Sequence, residues 1–258
     1  MNYKAKVLPI LKKAGEELRE HFGNVKKVSH KSENPADVVT EMDKKTEVFI
    51  AEGLKKIDAA TEFFGEEFGG NRDADRFWLC DPIDGTAHFI RGMPFCTVML
   101  CLVENGKIIF SVINDFTRGD MYWAEKEKGA WKNNERIRVS SHSLNQAYVF
   151  TEAGNLEDKK ALERYLWLRK RCMQLNTVSA GYEYIMVASG RIEGRIILEA
   201  CGKIWDYAPG SLLVAEAGGV VTNIGKETYD YRDLNSMAVN PVVYKELTQG
   251  NDAIFPIK

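Results

Sequence analysis

Apolar residues recur at helical spacing at the start of the chain. Val7, Leu11, Ala14, Leu18 and Phe22 share one face, which predicts a helix over residues 4–22. A second helix is expected after Thr40. The pattern then shortens into a short apolar run at Phe63-Phe64-Gly65 and a strand-like run at Phe77-Trp78-Leu79-Cys80. Runs over 96–103 and 108–113 flank Glu104-Asn105-Gly106-Lys107 and predict a hairpin with a tight Asn-Gly turn, and another short strand is expected over 121–124. Further on the periods alternate: helix over 157–170, helix over 179–189, strand over 195–198, and helix over 207–217 ended by Gly218-Gly219.

A largely antiparallel first half followed by alternating helices and strands predicts a mixed α+β / α/β chain, with helices packed between and outside sheets. Ser140-Ser141-His142-Ser143 is the one plausible junction, dividing an N-terminal half (1–143) from a C-terminal half (144–258). Nothing there resembles a flexible tether, so one compact unit is expected.

Composition narrows the functional classes. The 258 residues can bury a substantial core, and 35 basic against 37 acidic side chains leave a formal charge of -2, which implies no polyanionic partner. The basic stretch 164–171 contains Leu166, Trp167 and Leu168 and reads as a half-buried helix with a solvated face, so nucleic-acid binding is not expected. Five cysteines lie mostly in apolar runs without CxxC spacing, which suits a reducing cytoplasm. Met1-Asn2-Tyr3-Lys4 lacks a signal-peptide core, and no run approaches a bilayer span. The four histidines are scattered without zinc spacing, which favours hard-cation carboxylate chemistry over zinc.

Candidate chemistry concentrates in Asp81-Pro82-Ile83-Asp84-Gly85-Thr86, directly after the strand-like run over 77–80. Two carboxylates at the end of a buried strand can hold a divalent cation, and Gly85-Thr86 can open a helix whose first amides favour an anion. The same hexapeptide is also a competent strand-ending turn. Glu66-Glu67 after 63–65 and Asp206 after Trp205 add acids that could converge on one site.

These segments, with Asp37-Val38-Val39-Thr40-Glu41-Met42-Asp43 upstream and Trp205-Asp206-Tyr207-Ala208-Pro209-Gly210 leading to Glu216-Ala217-Gly218-Gly219, resemble the inositol monophosphatase family in type, order and spacing over nearly the whole chain. The resemblance implies the layered αβαβα sandwich of the inositol monophosphatase / fructose-1,6-bisphosphatase type, with the site between the two halves. It implies a magnesium-dependent, lithium-sensitive phosphomonoesterase and a homodimer. Acids matching Glu66, Asp81, Asp84 and Asp206, with the main-chain oxygen of Ile83, would hold two to three magnesium ions. Thr86 and Glu66 would position the attacking water, and Asp43 would orient Thr86.

Some of these residues have second readings. Thr40 to Asp43 also fits a capping box, so Asp43 could be a helix cap. Asp206 could be a helix N-cap as well as a ligand. Lys31 matches a lysine of a closing loop or is a solvated lysine; Glu67 lies behind the ligands in the family or is a surface acid.

On the organic side of the substrate, the resemblance implies contacts from Asp84, Gly85, Thr86, Ser179, Ala180 and Glu199. Glu199 keeps the family's seven-residue spacing to Asp206, yet the stretch 190–199 runs about two residues longer than the family's. Ala87-His88 and Tyr182 also depart from the family pattern. The expected substrate is a small polyol or sugar phosphate, by default myo-inositol 1-phosphate. Fructose 1,6-bisphosphate, histidinol phosphate, a nucleotide 3'-phosphate and NADP are alternatives. A regulatory binding protein that retains the fold is the alternative of another class.

Overall fold

The computed structural model describes residues 2–25, 28–30 and 38–257. Lys31 and Asp37 lie outside them. Helix α1 (Tyr3–His21) buries Val7, Leu11, Ala14 and Leu18, the face that the spacing defines, and Ala5 N donates to Asn2 Oδ1 at its start. Full burial of Leu11 and Leu18 contributes on the order of 2 kcal/mol each. Strands β1 (Val28–His30) and β2 (Val38–Thr40) pair antiparallel and lead into α2 (Glu41–Ile57).

The next stretch builds one sheet from β3 (Glu62–Gly65), β4 (Gly69–Gly70), β5 (Arg76–Asp84), then past the short helix α3 (Thr86–Ile90), β6 (Thr97–Glu104), β7 (Lys107–Asp115), β8 (Asp120–Glu125), β9 (Gly129–Lys132) and β10 (Glu135–Arg136). Its order is β10-β9-β8-β7-β6-β5-β3-β4, antiparallel except for β3 beside β5. The β6–β7 hairpin closes as its sequence demands: Asn105 and Gly106 both take positive φ, at 49° and 71°, the geometry that matches the twist of paired strands.

The remainder gives β11 (Tyr148–Ala153), α4 (Lys159–Arg169), β12 (Met173–Asn176), α5 (Ala180–Ala188), β13 (Gly194–Glu199), α6 (Ile204–Glu216), β14 (Val220–Asn223), β15 (Ser236–Val239) and α7 (Pro241–Thr248). The second sheet has order β12-β11-β13-β15-β14, with β11 parallel to both its neighbours.

Apolar cores between the elements define five layers. Helices α1 and α2 pack through Leu11, Leu18, Ile50 and Leu54 on one face of the first sheet, against Trp78, Leu100 and Val112. Its other face, with Met99, Ile113 and Tyr122, meets α5 and α6, which in turn meet Phe150, Ile197 and Ala238 of the second sheet. The far face of that sheet, with Val149, Ile196 and Val239, is covered by Ala161 and Leu168 of α4 and Val243 and Leu247 of α7. The αβαβα sandwich follows directly, with α5 and α6 as its middle layer.

Helix α6 begins at Ile204, three residues before the expected 207. Asp206 is therefore the third residue of the helix, not its N-cap; that position belongs to Lys203, a residue without capping preference and so without a sequence signal.

Candidate active site

Strand β5 delivers the first two carboxylates through an irregularity. Residues three apart in a regular strand point to opposite faces. Here Asp81 pairs with Met99 and Asp84 with Thr97, so three steps along β5 oppose two along β6 and one residue is extra. The bulge falls at Pro82-Ile83, where Pro82 has no amide to give the ladder, and it turns Asp81 and Asp84 to the same side. Asp206, from the first turn of α6, joins them: one oxygen of each of the three carboxylates lies within 4.8 Å of the others.

Each carboxylate is anchored to backbone. Ile83 N donates to Asp81 Oδ1 (3.0 Å). Ala180 N donates to Asp84 Oδ1 (3.1 Å) and Gly181 N to Asp84 Oδ2 (2.8 Å), so the start of α5 grips Asp84; Thr97 Oγ1 adds a third bond at 3.2 Å. Lys203 N donates to Asp206 Oδ2. Trp205 packs its ring on Phe64 of β3 at 5.9 Å, which fixes the start of α6 against the strand that precedes Glu66.

Glu66 is held by its own amide, which donates to Cys80 O at 3.1 Å, and its side chain reaches Asp81. The loop it occupies rests on Glu47, which belongs to none of the motifs above. Glu47 is buried in α2, and its two oxygens accept from Glu67 N (2.8 Å) and Phe68 N (2.9 Å). A Cβ on Gly65 would sit 2.2 Å from that carboxylate, so only glycine admits it. The available signal was spacing: Glu47 lies one helical turn beyond Asp43 on the same face of α2.

Asp43 serves two purposes at once. Its Oδ2 accepts from Thr40 N (2.7 Å) and Thr40 Oγ1 (2.6 Å), which completes the capping box. Its Oδ1 accepts from Thr86 Oγ1 at 2.9 Å. The same hydroxyl lies 2.9 Å from Ile83 O. Gly85, at φ 82°, makes the turn into α3, and a Cβ there would meet Phe95 O at 2.5 Å.

The electrostatics are those of crowded acids. Burial, then the charges of Glu66, Asp206 and Asp84, push Asp81 well above the carboxylate range. Burial and Asp84 raise Asp206 to about 8. Burial also raises Asp84, against the amides of Gly181 and Ala180 that pull it down, and lifts Asp43 to about 6. Such a set is costly unless a cation neutralises it. All-oxygen donors converging from three directions suit a hard divalent ion such as magnesium.

The substrate residues implied by resemblance divide. Ala180 N is already committed to Asp84, so it orients a ligand carboxylate and is not a free contact. Glu199 is already engaged by the chain itself. Its Oε2 accepts from Leu156 N (2.7 Å) and its Oε1 from Asp158 N (2.9 Å), so both oxygens hold the loop after β11. Glu152 pairs with Ile197 but Ala153 with Glu199, so Leu198 is an extra residue where β13 reaches Glu199.

The two departures from the family pattern sit together near Asp84. His88 packs edge-on to Phe95 (5.9 Å), Phe95 to Tyr182 (5.1 Å), and the Arg118 guanidinium lies 5.3 Å over the Tyr182 ring. Burial lowers the His88 pKa and the Asp84 charge opposes that shift, which places the imidazole within reach of the carboxylate's field.

Comparison with known proteins agrees with this architecture. The family described as "Inositol monophosphatase family" matches residues 4–252. A curated "Fructose-1,6-bisphosphatase/inositol-1-monophosphatase" of Thermotoga maritima is 30% identical, covering 94% of this chain and 93% of its own length. A "Putative Nus factor SuhB" of Neisseria meningitidis is 31% identical, covering 92% of each. Among solved structures, the Thermotoga maritima IMPase superimposes with a TM-score of 0.84 at 29% identity, covering 95% of each chain. The extragenic suppressor protein suhB from Bartonella henselae gives 0.85 at 29% identity, covering 94% of this chain and 95% of that one.

Proposed function

The chain belongs to the inositol monophosphatase family, and from that premise, which makes it a phosphoric monoester hydrolase, we propose that it releases phosphate from a small polyol or sugar phosphate. The observation that supports this most is the convergence of Asp81, Asp84 and Asp206 from two separate elements, with Thr86 two residues beyond Asp84 and already paired to Asp43. We propose magnesium as the ion, with two to three bound through Glu66, Asp81, Asp84, Asp206 and the Ile83 carbonyl. Bound there, it would neutralise the acids and the phosphate and make water a stronger nucleophile.

The chain's own groups then have assigned tasks. Thr86 donates its hydroxyl hydrogen to Asp43 Oδ1, which leaves its oxygen lone pairs to accept from the attacking water. The water's proton passes through Thr86 Oγ1 to Asp43, a carboxylate that burial makes a stronger proton acceptor than an exposed one. Glu66, beside Asp81, bounds the water from the other side. The amides of Gly85 and Thr86 at the start of α3 offer donors to phosphate oxygens.

The organic group would meet Asp84 and the wall of His88, Phe95 and Tyr182. We propose myo-inositol 1-phosphate as the default substrate. Fructose 1,6-bisphosphate is kept as an alternative on account of the name of the Thermotoga relative, and histidinol phosphate, nucleotide 3'-phosphates and NADP share the phosphate chemistry. Lithium sensitivity belongs to the same proposal. The Nus-factor name of the Neisseria relative favours one second reading, a regulatory binding protein, which would not need the convergent acids.

Phosphate release from a panel of polyol, sugar, nucleotide and amino-alcohol phosphates, with magnesium and with chelator, tests both readings. Metal-dependent turnover of one class supports the enzyme; no release from any substrate, with the protein folded and magnesium present, overturns it.

A further inference from the structure

Arg195 is the largest fully buried side chain in the described structure, and the mechanism above gives it nothing to do. It rises from β13 between two buried carboxylates. Its Nε donates to Glu183 Oε2 of α5 (2.7 Å) and its Nη2 to Glu152 Oε2 of β11 (2.5 Å). The guanidinium plane lies between the rings of Tyr184 and Tyr207, 4.9 and 5.0 Å from their centroids, while Nη1 has no hydrogen-bond partner among the described residues. Two acids and one base buried together are a poor source of stability, since apolar side chains of similar volume serve as well or better. Geometric definition is the gain that such an arrangement can offer.

The bonds beyond the triad lead to the metal ligands on both sides. Glu183 also accepts from Thr177 Oγ1 (2.6 Å) and Val178 N (2.6 Å), which fixes the chain entering α5, whose first amides at 180 and 181 grip Asp84. Glu152 Oε1 accepts from Cys201 N (2.7 Å) and from the Tyr207 hydroxyl (2.5 Å), and that hydroxyl accepts from Gly202 N (2.6 Å). These bonds hold the turn entering α6, one residue before Lys203 N meets Asp206. One guanidinium thus stands between the support of Asp84 and the support of Asp206.

We propose that Arg195, with Glu183, Glu152 and Tyr207, is a positioning bridge that sets the placement of Asp206 relative to Asp84 and so tunes the cation site those two carboxylates share. The inference rests on the metal-dependent reading of the acid cluster. It distinguishes Asp84 and Asp206 from Glu66, whose amide donates to Cys80 O and whose loop rests on Glu47, bonds that do not involve Arg195.

Mn2+ titration, with free ion read by electron paramagnetic resonance, tests this without any turnover. Asp206→Asn identifies which binding step depends on Asp206. Tyr207→Phe keeps the ring and the buried ion pairs but removes the hydroxyl linking Glu152 to Gly202; it is expected to weaken that step about tenfold and leave the remaining affinity unchanged. Arg195→Lys should weaken it at least as much, because one ammonium cannot reproduce the forked contact to two carboxylates on different elements.

If Tyr207→Phe, with native circular dichroism, binds Mn2+ at every step as wild type does, the bridge is only structural and the proposal is overturned. An equal loss at all steps overturns it as well, since that is general loosening. Absence of any Mn2+ binding by the wild-type protein would remove the metal reading underneath, a result distinct from both.

Discussion

The Thr86 hydroxyl lies 2.9 Å from Oδ1 of Asp43, while Oδ2 of the same carboxylate caps α2 through Thr40. A helix cap and the proposed catalytic orienter are therefore one group using two oxygens. The cap makes the orienter rigid, since Asp43 cannot rotate toward solvent without surrendering two short bonds.

That shared use makes Asp43→Asn informative. The amide has one oxygen where the carboxylate had two, and hydrogen-bond donors face both positions. If its nitrogen turns to Thr40, the cap is lost, at about 1 kcal/mol of stability; if it turns to Thr86, the hydroxyl keeps only Ile83 O as an acceptor and its link to residue 43 is reversed. Turnover should fall by roughly 10²-fold or more, with a small decrease in Tm. Kinetics and thermal melts on one preparation check this, and a variant with wild-type turnover would reduce Asp43 to a cap.

Thr86→Ala removes the hydroxyl but no carboxylate. Turnover is expected to drop by ~10²-fold or more while magnesium affinity, read by calorimetry, stays close to wild type, and Thr86→Ser should recover most of the rate. A parallel loss of affinity would make Thr86 a ligand.

The raised acid pKa values predict how stability depends on pH without metal. Unfolded, these aspartates ionise near 3.9. Folded, Asp206 holds its proton to about 8 and Asp43 to about 6, with Asp81 and Asp84 also raised. Between pH about 4 and about 8 the folded chain binds more protons than the unfolded one, so stability falls as pH rises through that window. Magnesium, the proposed ion, would replace those protons, so the Tm increase on adding it should be larger at pH 8 than at pH 5. Asp206→Asn should flatten the metal-free pH dependence; a metal-free Tm that climbs over the same range contradicts the assignment.

The parts of the site legible in the sequence are those written contiguously. Asp81 and Asp84 stand in one hexapeptide, although the strand expected over 77–80 runs on through Asp84 and carries its bulge inside that hexapeptide. The α1 face and the Asn105-Gly106 turn were readable because period and turn chemistry are local. Arg195 was not: it opens an apolar strand run, and its partners at 183 and 152 are joined to it only by the packing of α5 and β11. Glu47 was hidden for the same reason, as one acid among several on α2 whose role depends on a loop 20 residues away. The resemblance implied a substrate role for Glu199; the amides of Leu156 and Asp158 that its carboxylate accepts, and the bulge beside it, are not reported by spacing along the chain.

Glu199 supports the last prediction. Its carboxylate closes the turn at Leu156, a non-glycine residue at φ 56°, by accepting the amides of Leu156 and Asp158. Glu199→Gln would set an amide NH2 against one of those backbone N–H groups, at a cost of about 1–3 kcal/mol, concentrated in this loop. The loop should become more readily cleaved by protease and exchange its amides faster. Turnover of a polyol phosphate and of nitrophenyl phosphate should change by the same modest factor, because neither substrate would lose a direct contact. Steady-state kinetics on both substrates, with hydrogen exchange over residues 154–158, decides it. A loss in kcat/KM confined to the polyol phosphate, with the loop unchanged, would return Glu199 to the substrate despite the bulge.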